Sequence, residues 1–126
     1  MRSVIFDMQA LFAVAVERAL RRSDFGFDTV RSESPVHTLA LCQARSADVL
    51  LMDVTSYAPR TIEERLRIRD ELKRIGSDCK IVLVVDENSE KKAADRVRLA
   101  KKDGLIDDFI YNSTSAAYLA AVIDAL

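Results

Sequence analysis

The sequence is poor in residues that mark several functional classes. It has no tryptophan, one histidine, two cysteines, three glycines and two prolines among 126 residues. His37 has no second histidine, cysteine or suitable acid at metal-ligand spacing, and Cys42 and Cys79 form no Cys-x-x-Cys pattern. We therefore expect neither a zinc site nor a redox centre, and both cysteines are predicted to be reduced packing residues.

Long apolar runs and large fields of one charge are also missing. No segment approaches membrane-spanning length, and the N-terminus lacks the longer apolar core of a signal peptide. The net charge is −1, with acids and bases interspersed, and aromatic residues are few and scattered. This argues against a nucleic-acid or membrane binder. We expect a cytoplasmic protein with one domain over residues 1–126. The sequence ends inside a helical pattern without a glycine or polar stop signal, which also suits a domain cut out of a longer protein.

The pattern that is present alternates short apolar strands with amphipathic helices. Strands are predicted at 4–6, 27–30, 48–53, 80–85 and 106–111. Helices are predicted at 9–22, from 35 through 41, at 62–75, from 88 or 89 to 102, and at 114–126. Because parallel strands need crossover helices, this alternation predicts a three-layer, doubly wound α/β fold. Its parallel five-stranded sheet would be flavodoxin-like, with strand order 2-1-3-4-5.

Local signals place several helix starts and one buried helix face. Ser34 before Pro35 and Thr61 before the third helix are predicted N-caps, and Asn88 or Ser89 is the predicted cap of the fourth helix. The third helix is predicted to bury an apolar stripe, which consists of Ile62, Leu66, Leu72 and Ile75.

Asp53 closes the apolar run 47–53, which is typical of a central strand in a parallel sheet. Asp7 closes the first strand in the same way. Ligands of such sheets gather beyond the carboxyl ends of the strands, where the strand order reverses. We expect Asp7 and Asp53 to lie about 5 Å apart across the ladder and to form an acidic notch that suits Mg²⁺. For Asp53 taken alone, a turn or a helix cap is the alternative interpretation.

Together these segments resemble the receiver domain of two-component response regulators over the whole chain. Residues 7–12 (Asp-Met-Gln-Ala-Leu-Phe) are similar to the family's acidic pair and first-helix entry, in the form found ahead of helix-turn-helix output domains. Residues 50–53 resemble the phosphoacceptor strand, 80–85 the strand before the switch Ser/Thr, and 108–113 the strand before Lys-Pro. The resemblance implies that Asp53 is the phosphoacceptor position, and that a sensor kinase and an output domain are partners.

Three positions depart from the family pattern. Met8 stands in place of the second acid, Val85 in place of the switch hydroxyl, and Asn112 in place of the lysine. Met8 removes an anionic contact to Mg²⁺, Val85 cannot donate a hydrogen bond, and Asn112 is a neutral donor at best. We therefore expect at most a weak Mg²⁺ site at Asp7 and Asp53, and a weakened or absent phosphorylation switch.

The sequence leaves three functions open. The first is a phosphorylation-independent receiver that serves as a dimerisation or docking module. The second is a receiver that still accepts phosphate at Asp53 to regulate an output domain, with transcription as the expected output. The third is an enzyme or flavin-binding protein on the same fold. The loop 8–11 is unlike a Ser/Thr/Gly-rich flavin loop, and no nucleophile–base pair is visible. The first function is favoured, and no enzymatic activity is predicted.

One charged surface is the candidate partner site. The fourth helix is rich in basic residues, including Arg96, and the neighbouring strand region supplies Asp107 and Asp108. In the resembled family, such basic and acidic residues mark a two-fold dimer face. With Tyr118 of the last helix near its centre, we predict a weak, salt-sensitive homodimer through the fourth helix, fifth strand and fifth helix. The alternative is a solvated helix, because exposed ion pairs contribute only ~0–1 kcal/mol each.

Overall fold

A computed structural model describes residues 1–126 as an alternating series of strands and helices. The strands are β1 (Arg2–Asp7), β2 (Phe27–Arg31), β3 (Val49–Val54), β4 (Lys80–Val85) and β5 (Asp108–Tyr111). The helices are α1 (Ala10–Arg22), α2 (Pro35–Arg45), α3 (Ile62–Arg74), α4 (Lys91–Lys102) and α5 (Ala116–Asp124). All strand pairs are parallel, in the order β2-β1-β3-β4-β5. The predicted fold and strand order are confirmed.

Helices cover both faces of the sheet. On one face, α2, α3 and α4 pack against side chains such as Ile5, Leu50 and Met52. On the other face, α1 and α5 pack against Phe6 and Leu51. Side chains alternate between the two faces along each strand, so β3 and β4 need apolar residues at nearly every position. No helix has both the length and the apolar character required to cross a membrane.

Two predicted helix starts are confirmed. The Ser34 side chain accepts a hydrogen bond from the Val36 N–H at 3.4 Å, with Pro35 at the first helical position. Thr61 forms a reciprocal cap with Glu64, in which each side chain accepts a hydrogen bond from the other residue's backbone N–H. This cap fixes where α3 begins at the carboxyl end of the sheet, and therefore which of its side chains reach the strand ends.

Two other predicted helix starts are wrong. Asn88 and Ser89 do not cap α4, because their backbone N–H groups donate to Asp86 Oδ1 at 2.9 and 3.2 Å in the preceding turn. The helix begins later, at Lys91. The last helix begins at Ala116 with Ser115 as its cap, while the Thr114 N–H donates to the Tyr111 carbonyl in a turn.

Candidate functional site

Asp7 and Asp53 lie at the carboxyl ends of adjacent strands, as the sequence predicts, but they are not directly opposite. Asp7 is opposite Met52, and Asp53 is opposite Val84 of β4. The prediction that Asp7 and Asp53 face each other across the ladder is therefore wrong by one residue. Because successive side chains point to opposite faces, Asp7 points toward α2 while Asp53 points toward the loop after β1. Both acids are buried, with 0% and 5% of their surface exposed.

The guanidinium group of Arg65, on α3, joins the two acids. Its Nη1 donates to Asp7 Oδ2 at 2.8 Å, and its Nη2 donates to Asp53 Oδ1 at 2.9 Å. The Arg65 side chain is fully buried. The space that the sequence predicts as an acidic notch is thus filled by a cation that belongs to the chain itself.

Backbone carbonyls complete the surroundings of Arg65. Its Nε donates to the Asp53 carbonyl at 2.8 Å, and its Nη2 donates to the Asp7 carbonyl at 2.9 Å. Every nitrogen of the guanidinium group therefore has an oxygen partner at the ends of β1 and β3. The planar fork of arginine suits this arrangement, because its N–H groups diverge in one plane toward separate acceptors.

Each carboxylate also has further donors. Asp7 Oδ2 accepts a hydrogen bond from the Thr38 hydroxyl of α2 at 2.6 Å. Asp53 Oδ2 accepts one from the Gln9 N–H at 3.2 Å, and Arg60 Nε lies 3.2 Å from Asp53 Oδ1. Two arginines thus balance the two acids, so the cluster is formally neutral without any bound ion.

Mg²⁺ does not fit this arrangement. Magnesium requires near-octahedral oxygen ligands at about 2.0–2.1 Å. Here the carboxylate oxygens of Asp7 and Asp53 already accept hydrogen bonds from Arg65, and a divalent cation between them would meet that positive charge directly. No group of three His, Cys, Asp or Glu side chains is placed to hold a metal ion.

The sequence interpretation missed Arg65 because it followed only apolar residues along the third helix. The structure buries Ile62, Arg65 and Leu72 on that helix and leaves Ile75 37% exposed at its C-terminal end, so the predicted stripe is partly wrong. A signal was available: Arg65 follows Ile62 by three residues and precedes Leu72 by seven, which places it on the inward face. An arginine there requires buried acceptors, and the strand-terminal acids are those acceptors.

The three positions that depart from the family pattern take different places. Val85 and Asn112 line, together with Asp53, a small cavity of about 150 Å³ at the carboxyl end of the sheet. Met8 does not line it, because its side chain is buried among the apolar residues between the sheet, α1 and α5. The structure therefore brings together two of the three departing positions with Asp53.

Asn112 and Asp86 both line this cavity. Hydrogen bonds from the backbone N–H groups of Asn88 and Ser89 lower the pKa of Asp86. Asp86 therefore stabilises the turn before α4. Thr55, which follows Asp53 by two residues, donates its hydroxyl to the Tyr57 carbonyl at 2.8 Å within its own loop.

The candidate dimer residues already have partners within the protomer. Arg96 forms an ion pair with Glu63 of α3, and Asp107 Oδ2 accepts a hydrogen bond from the Ile81 N–H at 2.8 Å. Asp108 accepts from the Phe109 N–H. Tyr118 is 61% exposed. We predicted that these charged groups would make association sensitive to salt. Most of them instead form ion pairs or hydrogen bonds within one copy of the chain.

Comparisons with solved structures identify the fold. The chain is similar to the signal receiver domain of the response regulator NarL from Mycobacterium tuberculosis, with 21% identity, a TM-score of 0.74, and coverage of 98% of this chain and 94% of that one. It is similar to a DNA-binding response regulator of the LuxR family from Staphylococcus aureus, with 14% identity, a TM-score of 0.74, and coverage of 99% and 98%.

A third similar structure is the BeF3-activated N-terminal receiver domain of RstA from Klebsiella pneumoniae. It has 18% identity, a TM-score of 0.73, and coverage of 99% of this chain and 97% of that one. No protein-family model matches the chain, and no curated protein matches it. These similarities confirm that the chain has the receiver-domain fold of response regulators.

Proposed function

We propose that the protein is a non-catalytic signalling module of the response-regulator receiver type that works without phosphorylation at Asp53. The observation that carries this proposal is the buried Arg65 guanidinium, which bonds both Asp7 and Asp53. In this arrangement the acidic cluster is a structural connection between β1, β3 and α3, and its charge does not change when a signal arrives.

The chemistry of phosphoryl transfer supports the proposal. Transfer to Asp53 requires a free carboxylate oxygen as nucleophile, and positioned positive charge on the oxygens of the transferring group. Asp53 Oδ1 faces Arg65 and Arg60, and Oδ2 accepts from the Gln9 N–H. Both oxygens are therefore engaged, and only 5% of the residue is exposed. Val85 has no side-chain hydroxyl and Asn112 has no positive charge, so neither replaces the switch Ser/Thr or the lysine that would contact a phosphorylated Asp53.

This proposal predicts that Asp53 stays unmodified when the protein is incubated with acetyl phosphate and magnesium. Intact-mass spectrometry followed by peptide mapping measures the result, with Asp53→Asn as the matched control. We expect no mass increase in either protein after incubation. Near-stoichiometric, magnesium-dependent phosphorylation that is lost in Asp53→Asn would instead support the second function, a receiver that accepts phosphate at Asp53.

A module without a switch must act through a surface, and the proposed surface is the β5 edge of the sheet. This edge lies between α4, which packs on one face, and α5, which packs on the other. Leu99 of α4 and Tyr118 of α5 are 55% and 61% exposed, so apolar area is available there. The proposed occupant is a second copy of this chain, because a two-fold axis lets the exposed Leu99 and Tyr118 of one copy pack against the same residues of the other.

The proposed homodimer is compatible with a DNA-binding output domain on each copy. One of the similar structures is a DNA-binding response regulator. Two-fold DNA-binding proteins read paired half-sites, and a dimeric signalling module would set the spacing between two output domains. The receiver-like chain itself has a net charge of −1 and is not proposed to contact DNA.

We expect Leu99→Glu to abolish the homodimer, because it places a charge in the apolar centre of the interface. Sedimentation equilibrium at low and high ionic strength measures association. Leu11→Glu is the matched control, since Leu11 is also exposed but lies on α1. Asp107→Lys is a poor test because Asp107 bonds the Ile81 N–H and its loss perturbs the sheet edge. A strict monomer at high concentration, or equal association of both variants, would contradict the proposed interface.

A further inference from the structure

Cys42 and Cys79 form a buried pair, although the sequence indicates two separate packing residues. Cys42 lies near the C-terminal end of α2, and Cys79 immediately precedes β4. Both are free thiols with 3% of their surface exposed, and both belong to the same apolar cluster. The fold therefore brings the only two cysteines of the chain to one place.

The pair lies in the wall of a cavity at the amino-terminal end of the sheet. The cavity has a volume of about 490 Å³ and is lined by both cysteines. Its wall also includes the exposed residues Gln43, Asp48 and Asp78. Both cysteines therefore border one cavity that opens beside exposed residues, although only 3% of the surface of each is exposed.

The two thiols differ in acidity. The Cys79 thiol donates to the Lys80 carbonyl at 3.6 Å. The neighbouring Cys79 side chain lowers the pKa of Cys42, against the opposing effect of burial. The Cys42 side chain, together with burial, raises the pKa of Cys79. Since the thiolate is the nucleophile in thiol–disulfide exchange, Cys42 is the residue of the pair that reacts first.

We propose that Cys42 and Cys79 form a reversible intramolecular disulfide by exchange with small-molecule disulfides such as oxidised glutathione. The Cys42 thiolate attacks one sulfur of the reagent, so a mixed disulfide forms and one thiolate leaves. Cys79 then loses its proton and attacks Cys42 Sγ, which forms the protein disulfide and releases the second thiolate. The two cysteine thiols are oxidised, and the reagent disulfide is reduced to two thiols.

The disulfide would connect α2 to the start of β4 across the first residues of β3. The Ala47 N–H donates to the Cys42 carbonyl, and the Lys80 N–H donates to the Asp48 carbonyl, so the same short segment borders both cysteines. Oxidation would therefore fix α2 against the sheet. The pair is at the opposite end of the strands from Asp53, and its test is independent of the function proposed above.

The test equilibrates the protein with mixtures of reduced and oxidised glutathione, traps free thiols, and measures the intramolecular disulfide by intact mass and peptide mapping. Because the native fold holds the two sulfur atoms together, we expect the disulfide to form in native protein at a ratio at least ~10-fold more reducing than in the urea-unfolded chain. A disulfide that forms no more readily in native than in unfolded protein would overturn the proposal, as would adducts of glutathione alone.

Two variants make the assignment specific. Cys79→Ser should stop at the mixed disulfide on Cys42, because no second thiol completes the exchange. Cys42→Ser should likewise give only a mixed disulfide, on Cys79, because it also lacks a second thiol. Wild-type protein that accumulates only mixed disulfides, as the two variants do, would overturn the proposal. Circular dichroism checks that both are folded, and the comparison of native and unfolded wild-type protein stands without them.

Discussion

Replacement of Arg65 by methionine should lower the free energy of unfolding by about 3–5 kcal/mol. The substitution keeps a long side chain but removes the only cation that bonds both strand-terminal acids. Asp7 would keep the Thr38 hydroxyl, and Asp53 would keep Arg60 and the Gln9 N–H, but the carbonyls of both acids would lose their donors. Removal of one partner from a buried charge pair is costly because the remaining charge is left uncompensated.

Chemical denaturation of the two proteins measures this loss, and Arg67→Met is the matched control. Arg67 lies on the same helix but is exposed, so its replacement should change stability by less than about 0.5 kcal/mol. A double variant, Arg65→Met with Asp53→Asn, should lose less than the sum of the two single losses, because the second change removes one of the stranded charges. Equal effects at Arg65 and Arg67 would show that the buried contacts are not formed.

The second prediction is that restoring the family's residues is not sufficient to create a Mg²⁺ site while Arg65 is present. The sequence alone suggests that Met8→Asp together with Asn112→Lys strengthens Mg²⁺ binding. The structure adds a requirement, because Arg65 bonds the oxygens that a metal would use. We expect no Mg²⁺-dependent stabilisation in that double variant. In the triple variant that also carries Arg65→Met, millimolar Mg²⁺ should stabilise the protein by about 1–3 kcal/mol.

Denaturation with Mg²⁺ or with NaCl at matched ionic strength measures the difference. The comparison of double and triple variants isolates Arg65, since both contain the same new acid and lysine. Equal Mg²⁺-dependent stabilisation in the two variants would contradict the role given to Arg65. Failure of both variants to bind would contradict the prediction for the triple variant.

The fold could be predicted from the sequence because its signals are local and repeated. The run 80–85 predicts a buried strand from six residues, and Thr61 with Glu64 predicts the start of α3. The start of α4 could not be predicted in the same way. Asn88 and Ser89 are good caps by residue type, but both lie in a turn whose backbone N–H groups donate to Asp86, and the helix begins after that turn.

The candidate site could be predicted only in part. Asp7 and Asp53 are visible because each closes an apolar run. Their connection is not visible, because Arg65 is far from Asp7 in the chain and reaches it only after α3 docks on the sheet. The one-residue register offset is hidden for the same reason, since strand pairing is a tertiary property. The common position of Cys42 and Cys79 beside one cavity also depends on how α2 packs, which no spacing in the sequence indicates.

The most direct test of the central claim is a titration of the unmodified protein with MgCl₂, followed by NMR of the Gln9 amide and the Arg65 Nε–H. The first donates to the Asp53 carboxylate and the second to the Asp53 carbonyl, so each reports on the oxygens that a metal would contact. If Arg65 holds the position between Asp7 and Asp53, neither signal shifts beyond the change seen with NaCl at the same ionic strength. A saturable, Mg²⁺-specific shift of both signals, with faster solvent exchange of the Arg65 Nε–H, would show that a metal displaces the guanidinium group and would contradict the account.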